Sequence, residues 1–283
     1  MQVVTTVAEV RAATAEARRG GATVGFVPTM GYLHQGHTSL IVAARQATDL
    51  VVTSVFINPL QFGAGEDLGA YPRDLARDSE LSRDAGTDLL FVPPAEEMYP
   101  RPLLTTVAVA GITDRFEGAA RPTHFRGVAT AVAKLLSIVG PCTAYFGEKD
   151  WQQVCVVRRM VEDLSLPVAV EACPTLRETD GLALSSRNVY LDPEERAVAP
   201  VLRRALEAGA ATIGGGERDA GRVEVAMAEV VAAEPRAVLD YAAAVDATSL
   251  ERIAPLAGEV RLLIAARLGR PRLLDNLGVT VPP

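Results

Sequence analysis

Residues 22–57 read ATVGFVPTMGYLHQGHTSLIVAARQATDLVVTSVFI, and this stretch decides the fold class. Residues 22–27 form a short apolar run, and residues 50–57 are rich in β-branched side chains, so both predict buried strands. Residues 38–47 between them have the apolar spacing of a helix. Strand, helix and strand within about 35 residues match the size of a βαβ unit, whose parallel strands are apolar because helices cover both faces.

The same alternation continues along the chain, which predicts an α/β protein with a doubly wound parallel sheet. A helix over residues 7–19 precedes the opening unit and ends at two glycines. The ligands of such sheets lie at the carboxyl ends of the strands. The further predicted elements are helices at 72–85, 128–139 and 150–164, strands at 88–92, 143–146 and 168–172, and an edge strand at 104–110.

The character of the sequence changes after residue 187. Two alanine-rich helices, at 193–210 and 217–232, precede three predicted strands at 238–245, 260–267 and 272–274. Helices followed by clustered strands predict a smaller α+β domain. We therefore expect two domains, residues 1–175 and 176–283, joined by a polar segment that could act as a hinge.

Composition limits the classes of function. The 283 residues carry a formal net charge of −7, which argues against a general nucleic-acid surface, because such a surface needs a basic stripe. Cys142, Cys155 and Cys173 form no C-x-x-C pair, so a reducing compartment is expected. With no signal-peptide pattern and no apolar run of membrane-spanning length, we expect a cytoplasmic protein without nucleic-acid or membrane partners.

The segment His34-Gln35-Gly36-His37 joins the first strand to the following helix. An isolated H-x-x-H pair could be a zinc site or two surface histidines, but only His124 remains as a further histidine and no cysteine lies nearby. A glycine lets a ligand approach the backbone, and a helix N-terminus attracts anions. We interpret the segment as a phosphate-binding turn whose two imidazoles donate to phosphate oxygens.

Two polar segments follow other predicted strands. Asn58 and Gln61 could belong to an ordinary turn, but uncharged amides at a strand end are suited to hydroxyls and a carboxylate. Residues 147–150 read GEKD, which could be a solvated charge cluster in which Asp150 caps a helix. In a functional interpretation Lys149 reaches phosphates and Asp150 accepts from ribose hydroxyls, with Gln153 one helical turn further on.

Ser185, Ser186 and Arg187 lie in the predicted hinge. They could form an ordinary turn before a helix, yet two hydroxyls and a guanidinium in a row can also bind a triphosphate. Asp78 lies on the predicted helix at 72–85, where it is either a surface acid or a ligand that helps to hold Mg²⁺.

Taken together, these motifs resemble the pantoate–β-alanine ligase family, within the nucleotidyltransferases that carry an H-x-G-H signature. The resemblance extends over nearly the whole chain. Its motifs, in chain order, are VPTMG at 27–31 with His34 and His37, FINP at 56–59, QFG at 61–63, YPR at 71–73, FGEKD at 146–150 and SSRN at 185–188.

The resemblance implies a Rossmann-like N-terminal domain with a C-terminal lid, a homodimer, and a reaction that joins pantoate to β-alanine through a pantoyl adenylate, using ATP with Mg²⁺. It implies that His37 is a catalytic proton donor, that His34 acts on the phosphates, and that Gln61 and Gln153 bind pantoate. From the chemistry of the residues themselves we also expect Lys149 and Arg187 to be catalytic and Asn58 to bind substrate. The residues that the resemblance assigns to ATP are Met30, Gly31, Tyr32, Leu33, His34, Gln35, Gly36, His37, Gly147, Glu148, Lys149, Asp150, Leu176, Leu184, Ser185, Ser186 and Arg187.

Two competing hypotheses remain open at this point. Another H-x-G-H adenylyltransferase, with a phosphorylated acceptor, would share the histidines but gives no reason for Gln61 and Gln153. A non-catalytic ATP-binding regulator would be expected to have lost charged groups, whereas Lys149 and Arg187 are both present.

Overall fold

The computed structural model describes residues 1–63, 67–69, 71–269 and 271–282. Its internal contacts divide the chain into two compact units. The first unit holds Met1–Gly147 and Gln152–Pro174, and the second holds Glu148–Trp151 and Thr175–Pro283. Four residues that follow directly on the strand ending at Gly147 thus belong by their contacts to the second unit.

The first unit is built on a six-stranded sheet in which the neighbouring strands run parallel, in the order β1-β4-β3-β2-β5-β6. Phe26, Val52 and Phe91 on three of these strands are fully buried, as expected where helices cover both faces. The strands are β1 Gln2–Val4, β2 Val24–Thr29, β3 Leu50–Val55, β4 Leu89–Phe91, β5 Cys142–Gly147 and β6 Val168–Cys173.

The strand order confirms the predicted doubly wound α/β class. From β2 the chain proceeds outward to β3 and β4, and then returns to place β5 on the other side of β2. The order therefore reverses between β2 and β5, and the carboxyl ends at such a switch point are where doubly wound sheets bind ligands. The helices of this unit are α1 Val7–Arg19, α2 Gln35–Ala47, α3 Leu75–Ala85, α4 Ala95–Met98, α5 Glu117–Ala120, α6 His124–Val139 and α7 Trp151–Asp163, whose first residue belongs by its contacts to the second unit.

Several local predictions differ from the structure, among them the strand predicted at 272–274, which extends over Arg272–Val281. Residues 104–110 form no strand, because the backbone N–H of Val107 donates to Thr130 Oγ1 (3.0 Å) on α6 instead of to a neighbouring strand. The helix predicted over 193–210 is two helices, α8 Pro193–Val198 and α9 Val201–Gly214. Pro200 lies between them and has no N–H with which to continue the first helix.

The second unit packs α9 and α10 (Ala220–Ala232) against an antiparallel sheet in the order β7-β8-β9. An added Cβ at Gly209 would lie 2.8 Å from Met227 Cγ, so this glycine allows the two helices to approach closely. Leu206 and Ile264 are fully buried in the same core. The strands are β7 Ala237–Asp246, β8 Gly258–Leu268 and β9 Arg272–Val281. Among the described residues of both units, no helix has the length and apolarity that a bilayer crossing requires.

Candidate active site

The turn that follows β2 has an unusual backbone. Gly31 has φ +84° and Tyr32 has φ +51°, so both residues lie in the left-handed region, which is costly for a residue with a Cβ. An added Cβ at Gly31 would lie 2.9 Å from Asp78 Oδ2 and 2.9 Å from Val55 Cγ1. Only glycine therefore fits at position 31, because the side chains of Asp78 and Val55 pack directly against it.

Asp78 holds that turn in place. Its Oδ2 accepts from the backbone N–H of Tyr32 (2.8 Å), and its Oδ1 accepts from that of Leu33 (2.7 Å). Asp78 is 1% exposed and lies in the first turn of α3, where the helix dipole favours a carboxylate.

The geometry of Asp78 favours an anchoring role, and its expected part in holding Mg²⁺ stays a prediction. Both carboxylate oxygens already bind backbone N–H groups, and the side chain is buried. Among the described residues, no group of three or more His, Cys, Asp and Glu side chains is placed to hold a metal ion. We therefore assign Asp78 as an anchor of the turn.

The two histidines lie at the N-terminus of α2, with their ring centroids 4.1 Å apart. His34 Nδ1 accepts from the backbone N–H of Gly36 (3.1 Å), and His37 Nδ1 accepts from the backbone N–H of His34 (3.3 Å). Because each Nδ1 is an acceptor, the neutral form of each ring carries its proton on Nε2. The helix start thus fixes two imidazoles as Nε2–H donors. The helix α2 begins at Gln35, and not at the predicted residue 38, because the side chains of His34 and His37 accept hydrogen bonds from backbone N–H groups at its N-terminus.

Gln61 lies close to this turn. Its side chain donates from Nε2 to Met30 Sδ, so the structure brings one predicted substrate-binding residue next to a predicted ATP-binding residue. The backbone carbonyl of Gln61 contacts His124 Nδ1 (3.0 Å) on α6. An added Cβ at Gly127 would lie 2.2 Å from Leu60 O, so glycine is required for α6 to pack against the turn that carries Gln61.

Asn58, which the sequence suggested as a substrate contact, lies behind Gln61 in a set of hydrogen bonds within the protein. It is 2% exposed, and Nδ2 donates to Gln61 Oε1 (3.2 Å) and to Gly127 O (3.0 Å). Oδ1 accepts from Leu60 N (3.2 Å) and from the hydroxyl of Tyr99 (2.9 Å). Two donors and two acceptors use the full capacity of a carboxamide. Asn58 therefore orients Gln61, and a direct contact between Asn58 and substrate stays a prediction.

The sequence did not predict that Tyr99 and Gly127 bind Asn58. No local pattern near either residue indicates a hydrogen-bond partner that lies 41 or 69 residues away. Burial raises the pKa of Tyr99 to about 12. The hydroxyl therefore remains protonated and donates to Asn58 through the neutral pH range.

The raised pKa of Tyr99 predicts how the protein responds to alkali. An ordinary tyrosine ionises near pH 10, so the stabilisation that depends on neutral Tyr99 is complete below about pH 10 and is lost as the pH rises towards 12. Tyrosinate absorbance should show that Tyr99→Phe removes one group titrating near pH 12. Removal of a group titrating near pH 10 would contradict the burial argument.

Gln153 and its neighbour Gln152 both lie in the first turn of α7 but differ in environment. Gln152 is buried, and its Nε2 donates to Ile112 O and to Arg115 O (2.8 Å each). Its Oε1 accepts from Glu117 N (3.1 Å). Gln152 thus stabilises residues 112–117, whereas Gln153, the predicted substrate-binding residue, is half-buried.

In the second unit the structure brings Lys149 together with Ser185 and Arg187, which lie far from it in sequence. They line one small cavity of about 20 Å³, enough for about one water molecule. Ser185 caps the 3₁₀ helix Ser186–Tyr190, and its Oγ accepts from Arg187 N (3.3 Å). Lys149 Nζ lies 3.4 Å from Asp150 Oδ1. The cationic and hydroxyl groups predicted to bind phosphate therefore form one cluster within this unit.

A short hairpin carries the two leucines that the resemblance assigned to ATP. The backbone N–H of Leu184 donates to Leu176 O (3.0 Å), next to an isolated antiparallel bridge between Arg177 and Ala183. Arg177 makes a two-pronged ion pair with Asp275 (2.6 and 2.9 Å) on β9, and Asp275 is buried. Such paired contacts are geometrically specific, and this pair ties the hairpin to the sheet.

A doubly wound parallel sheet with paired histidines at a helix N-terminus beside its switch point defines an α/β protein suited to binding phosphate. The sequence profile of the family described as Pantoate-beta-alanine ligase matches residues 2–278. The chain belongs to this family.

Individual relatives agree with this assignment. The pantothenate synthetase of Heliobacterium modesticaldum is 53% identical over 281 residues, covering 99% of this chain and all of the relative. The crystal structure of pantothenate synthetase from Thermus thermophilus is 52% identical, with a TM-score of 0.92 and complete coverage of both chains. The pantoate-beta-alanine ligase of Francisella tularensis, complexed with beta-gamma ATP and beta-alanine, is 30% identical, with a TM-score of 0.80 and coverage of 98% and 97%.

Proposed function

We propose that this chain uses ATP to join (R)-pantoate to β-alanine, giving pantothenate, AMP and pyrophosphate. In the first step a pantoate carboxylate oxygen bonds to the α-phosphorus of ATP, and the bond from this phosphorus to the pyrophosphate oxygen breaks. In the second step the amine of β-alanine bonds to the acyl carbon of the adenylate, AMP leaves, and the amine loses a proton.

The observation that carries this proposal is the histidine pair His34 and His37, fixed as Nε2–H donors at the start of α2. A carboxylate approaching a triphosphate is repelled until charge on the phosphates is neutralised. Preorganised donors and a helix N-terminus provide that stabilisation without reorganising during the reaction. In our proposal these histidines bind the phosphates, and His37 donates to the oxygen on which charge develops.

Lys149 and Arg187 supply positive charge in the second unit. They share one cavity with Ser185, whose hydroxyl is a further hydrogen-bonding group. We assign Lys149 and Arg187 to the pyrophosphate that leaves ATP, because a lysine is a point charge and an arginine binds two oxygens at once.

Gln61 and Gln153 are proposed to bind pantoate, with Gln61 held in place by Asn58. Carboxamides can bind a carboxylate and hydroxyls without adding a charge that would compete with the cations for phosphate. This pair of glutamines is the feature that favours pantoate over a phosphorylated acceptor.

Magnesium is proposed to arrive as the ATP complex. The described side chains form no cluster that could hold the ion, and both oxygens of Asp78 are in use. Mg²⁺ commonly takes most of its ligands from substrate phosphates and water. We also propose, as the resemblance implies, a cytoplasmic homodimer in which residues 1–175 form the catalytic domain and residues 176–283 a lid domain.

Isotope exchange between pyrophosphate and ATP tests this proposal directly. We expect exchange to depend strictly on pantoate, because adenylate formation is reversible, and pantothenate to appear only when β-alanine is added. Exchange that needs a phosphorylated acceptor instead of pantoate would establish the competing adenylyltransferase function. Binding of ATP without any exchange would indicate a non-catalytic regulator.

A further inference from the structure

The turn Glu148–Asp150 follows β5 in sequence but makes its hydrogen bonds to β8 and β9 of the second unit. Asn276 Nδ2 donates to the backbone carbonyls of both Glu148 (2.9 Å) and Lys149 (2.8 Å). A single carboxamide thus binds two consecutive carbonyls on the peptide units that flank the Lys149 Cα. Asn276 is 4% exposed, so water does not compete effectively for these bonds.

Arg261 completes the attachment from the neighbouring strand. Its Nε donates to Asn276 Oδ1 (2.7 Å), and its terminal nitrogen donates to Glu148 Oε2 (3.0 Å). Its guanidinium carbon lies 3.7 Å from the ring centroid of Trp151, whose Nε1 donates to Ala247 O (2.7 Å). Both ends of the turn are therefore fixed by one network in the second unit, whose central members Arg261 and Asn276 are buried.

Burying polar and charged groups destabilises the folded protein unless each group has a hydrogen-bond or ion-pair partner. Arg261 is 7% exposed, and a buried guanidinium is destabilising without an anion and hydrogen-bond acceptors. The sheet does not need these polar groups for its own pairing, because β8 and β9 form a continuous backbone ladder through the same residues. Buried networks whose members are satisfied rigidify the segment that they bind, and here that segment carries Lys149.

We propose that Asn276 and Arg261 are positioning residues that act through Lys149. A lysine has a flexible four-carbon stem, so the position of its ammonium depends on how firmly its backbone is held. With the carbonyls of Glu148 and Lys149 fixed to β9, the Lys149 side chain is kept in the cavity that Ser185 and Arg187 also line. This inference rests on the proposed role of Lys149 in ATP binding.

Asn276→Asp is the sharpest variant for testing this role. It keeps the size of the side chain and an acceptor for Arg261, but it replaces the amide donor with an oxygen that repels the two carbonyls. In pantoate-dependent exchange we expect about a tenfold fall in kcat/KM for ATP, because a displacement of about 1 Å in a positioned group can lower the rate by up to about 10²-fold. We expect the KM for pantoate to change little.

A double-mutant cycle separates positioning from general structural support. Lys149→Ala alone should lower exchange by about 10²-fold, as expected for a lost phosphate-stabilising group. In the Lys149→Ala background, Asn276→Asp should then have less than about a twofold further effect. A full tenfold loss in that background would overturn the inference and leave the role of Lys149 intact. Undiminished exchange by Lys149→Ala itself would overturn both proposals about Lys149.

Two further variants guard against loss of the fold. Gly278→Ala alters no member of the network, but its Cβ would lie 2.9 Å from a terminal nitrogen of Arg261. It should therefore also lower kcat/KM for ATP, by a smaller factor than Asn276→Asp. Leu277→Ala removes a partly buried side chain of the same strand that packs against the core of the second unit. It should lower the melting temperature and leave kcat/KM for ATP unchanged. An equal, tenfold fall in kcat/KM for ATP in Leu277→Ala would show that the effect of Asn276 is only structural.

Discussion

Substitution of His37 by alanine is expected to slow pantoate-dependent ATP–pyrophosphate exchange by about 10²–10³, the loss typical of one preorganised donor at a developing negative charge. The backbone hydrogen bond that His37 Nδ1 accepts from His34 N is long, at 3.3 Å, so the fold should survive its removal. The decrease should appear in kcat for exchange rather than only in the KM for ATP, because charge on the phosphates increases in the transition state.

Two variants sharpen the interpretation of His37→Ala. In His37→Gln the side-chain amide offers an N–H at nearly the distance of Nε2, so partial retention of activity would show that a hydrogen bond, and not proton transfer, is what matters. Val42→Ala, an exposed position on the same helix, controls for changes in α2 and should leave exchange unaffected. Normal turnover of His37→Ala would refute the role that we assign to this residue.

The fold class could be predicted from the spacing of apolar residues, because each strand and helix of a doubly wound sheet leaves its own local pattern in the sequence. The helix predicted over residues 7–19 is observed as α1 Val7–Arg19, where Thr6 and Glu9 form a capping box that closes its start. The strand predicted over 104–110 was wrong because alternating apolar residues do not reveal whether a partner strand exists. In the structure the side chain of Thr130 satisfies the backbone of Val107 instead.

The candidate site could be predicted only for residues that lie in motifs at strand ends. His34, Lys149 and Arg187 stand out by type and position. The residues that orient the site do not, because Asp78 and Asn276 act on backbone groups 45 and 127 residues away. Hydrogen bonds of this kind depend on tertiary packing, which no local pattern encodes. The same difficulty explains why the hydrogen bond from Asn58 to Gln61 was not predicted.

Removal of the Asp78 carboxylate is expected to have the largest effect on stability in the first unit. In Asp78→Ala the backbone N–H groups of Tyr32 and Leu33 lose their acceptors, and Leu33 is fully buried. Each unsatisfied buried donor costs about 1–3 kcal/mol, so we expect the free energy of unfolding to fall by about 4 kcal/mol. In Asp78→Asn one oxygen remains while the amide faces the second N–H, and about 2 kcal/mol should be lost.

The same substitution should also lower activity, because the strained backbone of Gly31 and Tyr32 leads directly into His34. Without the anchor these residues can relax from positive φ, which would displace the start of α2. We expect Asp78→Asn to reduce exchange by at least about tenfold under conditions where it remains folded, since small displacements of positioned groups have effects of this size. Urea unfolding and exchange kinetics on the same preparation measure both quantities.

Glu80→Gln provides the matched control for Asp78→Asn, because it makes the same change from carboxylate to carboxamide at an exposed position of α3. It should alter the free energy of unfolding by less than about 0.5 kcal/mol, as surface substitutions usually do. A titration of Mg²⁺ then distinguishes an anchor from a metal ligand. A protein lacking a metal ligand would unfold normally and recover activity at high Mg²⁺, whereas a protein lacking an anchor should be less stable and should not recover.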